Sequence, residues 1–286
     1  MIQITKNLYV ETGMTACNLG FVTTKAGVVM IDTPMKPTDA VKWRDEAGKK
    51  GEIRYLINTE EHPDHWQGSH FFPGILITSR ETRDKLTGVP VARVIETVKR
   101  MDPAGVPLME GYRVRLADVA FTDSMDLYVG DHTIRLFHLP GHSTGGIGVH
   151  IPEERVVFTT DIVFQKKKSW LHESEPEQWL ASLKKLSELD VDVVVPGHGE
   201  LCKKDYLVEQ AGIVKRWVEA VRSAIKQGWS VEEAGERIAS PDPYPKQPGT
   251  PMTDPELNKA IVARLKRAPV VEYKSKDIFR ASGLIV

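Results

Sequence analysis

A chain of 286 residues, 41% hydrophobic and 27% charged, can bury one large core or two modest ones, which suits a catalytic domain with helical additions. Its formal net charge of −1 provides no field to draw in nucleic acid or an acidic membrane, so neither is an expected partner. No stretch approaches the roughly 20 apolar residues of a membrane span. Met1 to Val10 lacks the basic start and apolar run of an export signal, and Cys17 and Cys202 stand far apart. Two reduced thiols in a cytoplasmic protein are therefore expected, not a disulfide scaffold.

In chain order, short β-branched or apolar runs bounded by Gly, Pro, Asn or Asp predict strands at Leu8 to Val10, Asn18 to Thr23, Gly27 to Asp32 and Ile53 to Asn58, with a helix at Asp39 to Lys49. Further strands are expected at Ile75 to Ile77, Met125 to Tyr128, Thr133 to Leu139, Ile147 to Ile151, Arg155 to Thr159 and Val191 to Val195. Gly130-Asp131 gives a hairpin turn. Helical period follows at Trp179, Leu180, Leu183, Leu186 and Leu189 behind Pro176, and at Leu207, Ala211, Val214, Trp217, Val218, Val221 and Ile225, ending at Gly228. Strands and helices interleave, which suggests sheets layered between helices.

Two regions look added. Arg80 to Asp118 combines a charged helical stretch with Pro103, Gly105, Pro107 and Gly111, the composition of a mobile cover. Ser240 to Pro255 carries Pro241, Pro243, Pro245, Pro248 and Pro251 and reads as an arm, before a last helix at Pro255 to Lys266. The apolar residues of the C-terminal helices either cover the core or pair two copies into a homodimer.

The informative segment is Thr59-Glu60-Glu61-His62-Pro63-Asp64-His65-Trp66, directly after the strand ending at Asn58. Glu60, His62, Asp64 and His65 are all metal-ligand types. Alternation along an extended loop aims Glu60, His62 and Asp64 to one side and His65 elsewhere, so two neighbouring ions can share it. Three later segments repeat the pattern of a ligand type just past a strand: Pro140-Gly141-His142, Thr160-Asp161, and Pro196-Gly197-His198-Gly199. Their glycines permit sharp turns and close backbone approach. His132, His138 and His172, which lack such a setting, read as surface or hydrogen-bonded core residues.

Over roughly residues 1 to 205 the chain resembles the metallo-β-lactamase superfamily, whose usual first motif, HxHxDH, here reads ExHxDH at Glu60 to His65, followed by His142, Asp161 and His198. The resemblance implies an α+β fold, a four-layer αββα sandwich, with the site at one edge of the two sheets. Residues 1–205 would form the catalytic domain, 80–118 a lid insertion, and 206–286 a C-terminal extension of helices and a Pro-rich arm. By analogy Glu60, His62 and His142 surround one divalent ion and Asp64, His65 and His198 the second, with Asp161 bridging.

The implied activity is hydrolysis of a small ester, lactone, thioester or amide by a metal-activated hydroxide, with Asp64, Asp161 and Glu60 as the catalytic carboxylates. Zinc is the first expectation for both ions. Glu60 in place of a neutral imidazole raises the ligand charge from two negative to three and shifts preference toward iron or manganese. Glu60 is either a ligand or a free base. The partner is a small-molecule substrate, aromatic or anionic if Trp66, Trp170, His172 and Lys166-Lys167-Lys168 form a rim; the plainer reading is a solvated basic turn beside a packing tryptophan.

An iron-dependent redox enzyme is the main alternative, although flavin-using relatives carry glutamate where His62 stands. A nuclease lacks an evident basic platform here. A binding or sensor protein that had lost its chemistry would not need to keep Asp161 and every histidine.

Overall fold

Strands buried on both faces need nearly continuous apolar runs, and the first half of the chain supplies them. In the computed structural model, which describes residues 1–246 and 252–267, the chain divides into two units, 1–138 with 145–160 and 139–144 with the residues from 161 onward.

The first unit opens with β1 (Ile2–Gln3), β2 (Leu8–Glu11), β3 (Leu19–Thr24) and β4 (Gly27–Ile31), each antiparallel to its neighbour. Then come α1 (Pro37–Gly48), β5 (Ile53–Ile57), α2 (Pro63–Trp66), β6 (Ile75–Ser79), α3 (Arg80–Leu86), α4 (Val91–Met101) and β7 (Val119–Phe121). β4 to β7 are mutually parallel, so each connection must cross over, and helices supply the crossovers. The seven strands lie in chain order in one sheet. An antiparallel meander follows: β8 (Ser124–Val129), β9 (His132–His138), β10 (Ile147–Ile151) and β11 (Val156–Phe158).

Strand alternation decides what each face meets. On β3, Phe21 turns toward α1, where it stacks on Tyr9 at 4.8 Å and meets Trp43 at 5.2 Å within a cluster that includes Met30, Ala40 and Leu56. Its neighbour Gly20 faces the opposite way, against the ring of Phe158 on β11, where a β-carbon would stand 2.3 Å from that ring. The two sheets of this unit thus meet face to face. Trp43 is fully buried, and truncating such a side chain to alanine costs about 3–5 kcal/mol.

The second unit holds β12 (Phe164–Gln165), α5 (Pro176–Ser187), β13 (Val193–Val195), β14 (His198–Gly199), α6 (Tyr206–Lys226), α7 (Val231–Arg237) and α8 (Asp254–Arg267). β12 and β14 pair in parallel, Phe164 opposite His198. α5 buries Trp179, Leu180, Leu183 and Leu186, and α8 buries Leu257, Ile261, Val262 and Leu265 against its own unit. Of the expected alternatives for the last helix, its apolar residues cover this body.

Several expectations change. The stretch 80–118 carries the helical part expected of it, and its Pro/Gly-rich part forms a turn: α3, α4 and the 3₁₀ turn Pro103–Met109 enclose Trp66, Leu86, Val94, Val98, Met109 and Tyr112. Asp102 accepts from the amide and hydroxyl of Thr38 at 3.0 and 2.9 Å, and Tyr112 donates to the Gln67 carbonyl at 2.9 Å. The Lys166–Lys168 turn is not wholly solvated, because Lys168 is buried and pairs with Asp254 at 3.1 Å. Of the proline-rich arm, 247–251 lie outside the described residues, as do 268–286 of the C-terminal extension. Among the described residues no helix is long and apolar enough to cross a membrane.

Candidate metal centre

Ligand sites in parallel sheets gather beyond the carboxyl ends of the strands, and the first unit follows that rule. Asp32 leaves the end of β4 and Thr59 to His65 leave the end of β5. The segment does not remain extended as its alternation suggests. His62 is the N-cap of α2 and Pro63 occupies the first helical position, where its missing N–H costs nothing, so Asp64 and His65 sit on a helical turn. The His65 carbonyl accepts from Thr33 N–H at 3.0 Å and from the Asn58 side-chain amide at 2.9 Å, which pins that turn against β4 and β5.

The turn gathers the donors. Glu60 is fully buried, with Oε1 in close contact with His62 Nδ1 and 3.5 Å from His65 Nε2. Asp64 Oδ2 lies 4.0 Å from the same His65 nitrogen. Glu61 turns away to Lys85 and the Thr82 hydroxyl, so of two adjacent glutamates only Glu60 joins the imidazoles.

Behind His65 stands a residue that sequence reading did not single out. Asp32 Oδ2 is 3.0 Å from His65 Nδ1, and the same carboxylate accepts from Thr59 N–H at 2.7 Å and Thr59 Oγ1 at 2.6 Å. A carboxylate of this kind can only accept, so Nδ1 carries the ring proton and Nε2 presents its lone pair. Asp32 holds this post with a left-handed backbone, φ 57°. The available signal was its place just past an apolar strand, as in Thr160-Asp161. Cys17 Sγ also reaches Asp32, at 3.5 Å, and burial pushes this thiol up, leaving it a neutral donor.

The second unit organises its donors around Asp161. Oδ2 of Asp161 is 3.5 Å from His142 Nε2 and 3.3 Å from His198 Nε2, with all three side chains nearly buried. His142 Nδ1 donates to the Trp170 carbonyl at 2.9 Å, so here too Nε2 presents its lone pair. Gly141 makes this approach possible: a β-carbon there would sit 2.3 Å from the Trp179 Cα, at φ +147°. Gly199, beside His198, similarly meets the Gln165 carbonyl. Phe164 stacks on the His198 ring at 5.3 Å and meets His142 edge-on at 5.4 Å.

The residue types suit borderline divalent transition metals: imidazole nitrogens with oriented tautomers, together with buried carboxylates that are costly to leave without a counter-charge. The expected rim is reduced. Trp66 is 2% exposed, gives its indole N–H to the Glu61 carbonyl and belongs to the apolar cluster, while Lys168 is spent on Asp254. Trp170 and His172 remain as an edge-on pair at 5.3 Å. His132 is a hydrogen-bonded core residue between Asp131 and Glu154.

A family model described as the metallo-beta-lactamase superfamily matches residues 12–198. The chain is 28% identical over 160 residues to a hydroxyacylglutathione hydrolase from Maricaulis maris, covering 56% of this chain and 52% of that protein. It is 28% identical over 154 residues to an acyl-coenzyme A thioesterase from Gallus gallus, covering 50% and 55%. Thus the alignments span about half the length of these curated relatives. In structure it resembles a metallo-beta-lactamase family protein from Thermus thermophilus, with TM-score 0.67 and 16% identity over 92% of this chain and 93% of that one. A metallo-beta-lactamase from Pontibacter korlensis gives TM-score 0.60 and 17% identity over 75% and 97%.

Proposed function

Because the chain belongs to the metallo-β-lactamase superfamily, we propose that it is a metal-dependent hydrolase of a small ester, thioester, lactone or amide, with Glu60, His62, His142 and Asp161 serving one divalent ion and Asp64, His65, Asp161 and His198 the other. Within each unit the proposed ligands already lie close together. The observation that carries the reading is the shared tautomer of His65 and His142. Each gives its Nδ1 proton to an acceptor-only oxygen and turns Nε2 toward a buried carboxylate.

Two divalent ions held by these residues would supply Lewis acidity and make a water acidic enough to lose a proton near neutral pH. The chain's own carboxylates then divide the work by burial. Asp161, 5% exposed, spans the two imidazoles of its unit and is assigned the bridging role. Glu60, fully buried against His62 and His65, is assigned as a ligand and not a free base. Asp64, 23% exposed at its side chain, is the accessible carboxylate and is placed to take a proton and return it to the leaving group. Acyl derivatives named in the relatives favour an acyl thioester or ester within the proposed class. The folded 80–118 insertion, which packs on Trp66 next to His65, is proposed as the wall that selects substrate.

Metal quantitation of protein grown with balanced metals, paired with a panel of esters, thioesters, lactones and amides, tests this reading. Two divalent ions per chain and turnover of at least one class are expected; a fully loaded protein that hydrolyses none overturns it. Iron or manganese is expected to claim a share of the sites, and Glu60→His to move that share to zinc and change the rate. Zinc alone in the wild type removes the metal preference assigned to Glu60.

A further inference from the structure

His142 and His198 depend on the loop from Phe164 to Glu175, which beyond the two residues of β12 has little regular structure of its own. It touches the site twice: through the Phe164 ring, stacked on His198, and through the Trp170 carbonyl, which holds His142 Nδ1. Between those contacts the loop is gripped from α6. Gln210 is fully buried; its Oε1 accepts from Phe164 N–H at 2.9 Å and its Nε2 donates to the Ser169 hydroxyl at 2.9 Å. One amide thus ties the residue under His198 to the residue preceding Trp170.

The identity of the residue is informative. Leu207, Gln210, Ala211, Val214 and Trp217 form the buried face of α6, so leucine at position 210 would satisfy helical packing. A buried amide is costly unless both its halves are bonded. Both are bonded here, and both bonds go to this one loop. Asp242, beyond α7, adds a second grip, accepting from Ser169 N–H at 2.7 Å while Tyr244 N–H, 3.0 Å away, steadies its other oxygen.

We propose that Gln210 is a positioning residue for the metal centre, setting the His198 ring through Phe164 and the His142 tautomer through Ser169 and Trp170. The inference rests on the reading of His142 and His198 as ligands. It makes part of the C-terminal extension a component of the site.

The test compares Gln210→Leu, which removes both bonds at nearly constant volume, with Gln210→Glu, whose carboxyl can accept from Phe164 and bond Ser169. Zinc affinity is measured by competition with a chelating dye, and the ligand field by the visible spectrum of the cobalt-loaded protein. Gln210→Leu is expected to weaken zinc by about 10–100-fold, the range of an outer partner of a ligand, and to shift the cobalt bands; Gln210→Glu is expected to restore both. Wild-type affinity and an unchanged cobalt spectrum in Gln210→Leu overturn the inference, as does failure of Gln210→Glu to restore either. If Gln210→Leu does not fold, Ser169→Ala, which removes the amide–hydroxyl bond together with the hydroxyl's bond to Asp242, decides on the same two readouts. His142→Ala is measured alongside: full metal retention there overturns the metal reading itself, whereas metal loss there with none in Gln210→Leu overturns only the positioning role.

Discussion

Glu60, His62, Asp64 and His65 come from one short stretch, whereas His142, Asp161 and His198 are drawn from three separate segments, and the two sets are held by different means. The first set is placed by local geometry: a strand end, a proline at the start of a helical turn, and backbone bonds from Thr33 and Asn58. The second is placed at a distance, by a loop whose fastenings lie at Gln210 and Asp242. Compact sequence spacing can stand in for a scaffold, while dispersed ligands need one built from elsewhere in the chain. In each set one imidazole facing a carboxylate is oriented from behind by an oxygen, His65 by Asp32 and His142 by the Trp170 backbone.

The largest expected effect breaks the comparison at its centre. Asp161→Ala should remove the contact common to His142 and His198, abolish turnover and lower bound metal, a loss greater than the roughly 100-fold upper range of an outer-partner change. Retained hydrolysis with a full metal complement would show that the second set has another organiser. Next, Asp32→Ala should cost about 10–100-fold in metal affinity or activity, since it frees the His65 ring but leaves every proposed ligand in place. A much smaller effect would mean that the local turn alone suffices for the first set.

The smallest effect lies away from either set and is seen in stability. His132, on β9, bonds Glu154 at 2.7 Å and Asp131 at 3.1 Å. Burial disfavours its charged form, but the bonds to the two carboxylates outweigh burial and raise it above its ordinary 6.5. Partial burial raises Glu154, but its bonds from His132, Thr5 and Asn7 outweigh that and lower it below its ordinary 4.5. The histidine contribution is complete below pH 6.5 and fades as pH rises through the raised value, while that of Glu154 is present above 4.5 and fades as pH falls below it. The denaturation-midpoint gap between wild type and His132→Gln is therefore expected to peak between these values and narrow toward pH 8. A gap that is flat with pH removes the ion pair as its cause.

Long apolar runs and periodic helices were readable from the residues, because burial leaves its period in the sequence. β5, β10, α5 and α6 lie close to their expected places. Some short elements were not: β7, β12 and β14 have two or three residues each, and α2 has one turn, too few for a period to emerge, whereas the equally short β11 and β13 stood out by their consecutive valines. α7 did carry a signal, the Ser230 and Glu233 capping box, which the structure forms in full. At the candidate site, residue types and strand-end placement singled out the seven proposed ligands. The groups that orient them were hidden for physical reasons. Trp170 acts through its carbonyl, which any residue possesses, and Gln210 interrupts an apolar helical stripe without breaking its period. Lys168 reads as a surface charge until Asp254, far along the chain, supplies its partner.

Asp32 and Thr160 both adopt left-handed φ, 57° and 45°, conformations that strain residues bearing a β-carbon and that glycine takes freely. Glycine at either place would relax the backbone, yet at the first it would delete the carboxylate behind His65 and at the second the hydroxyl beside Thr59. At Asp32 the relaxed backbone would leave the buried N–H and hydroxyl of Thr59 without their acceptor, so hydrogen bonding holds the strained conformation in place.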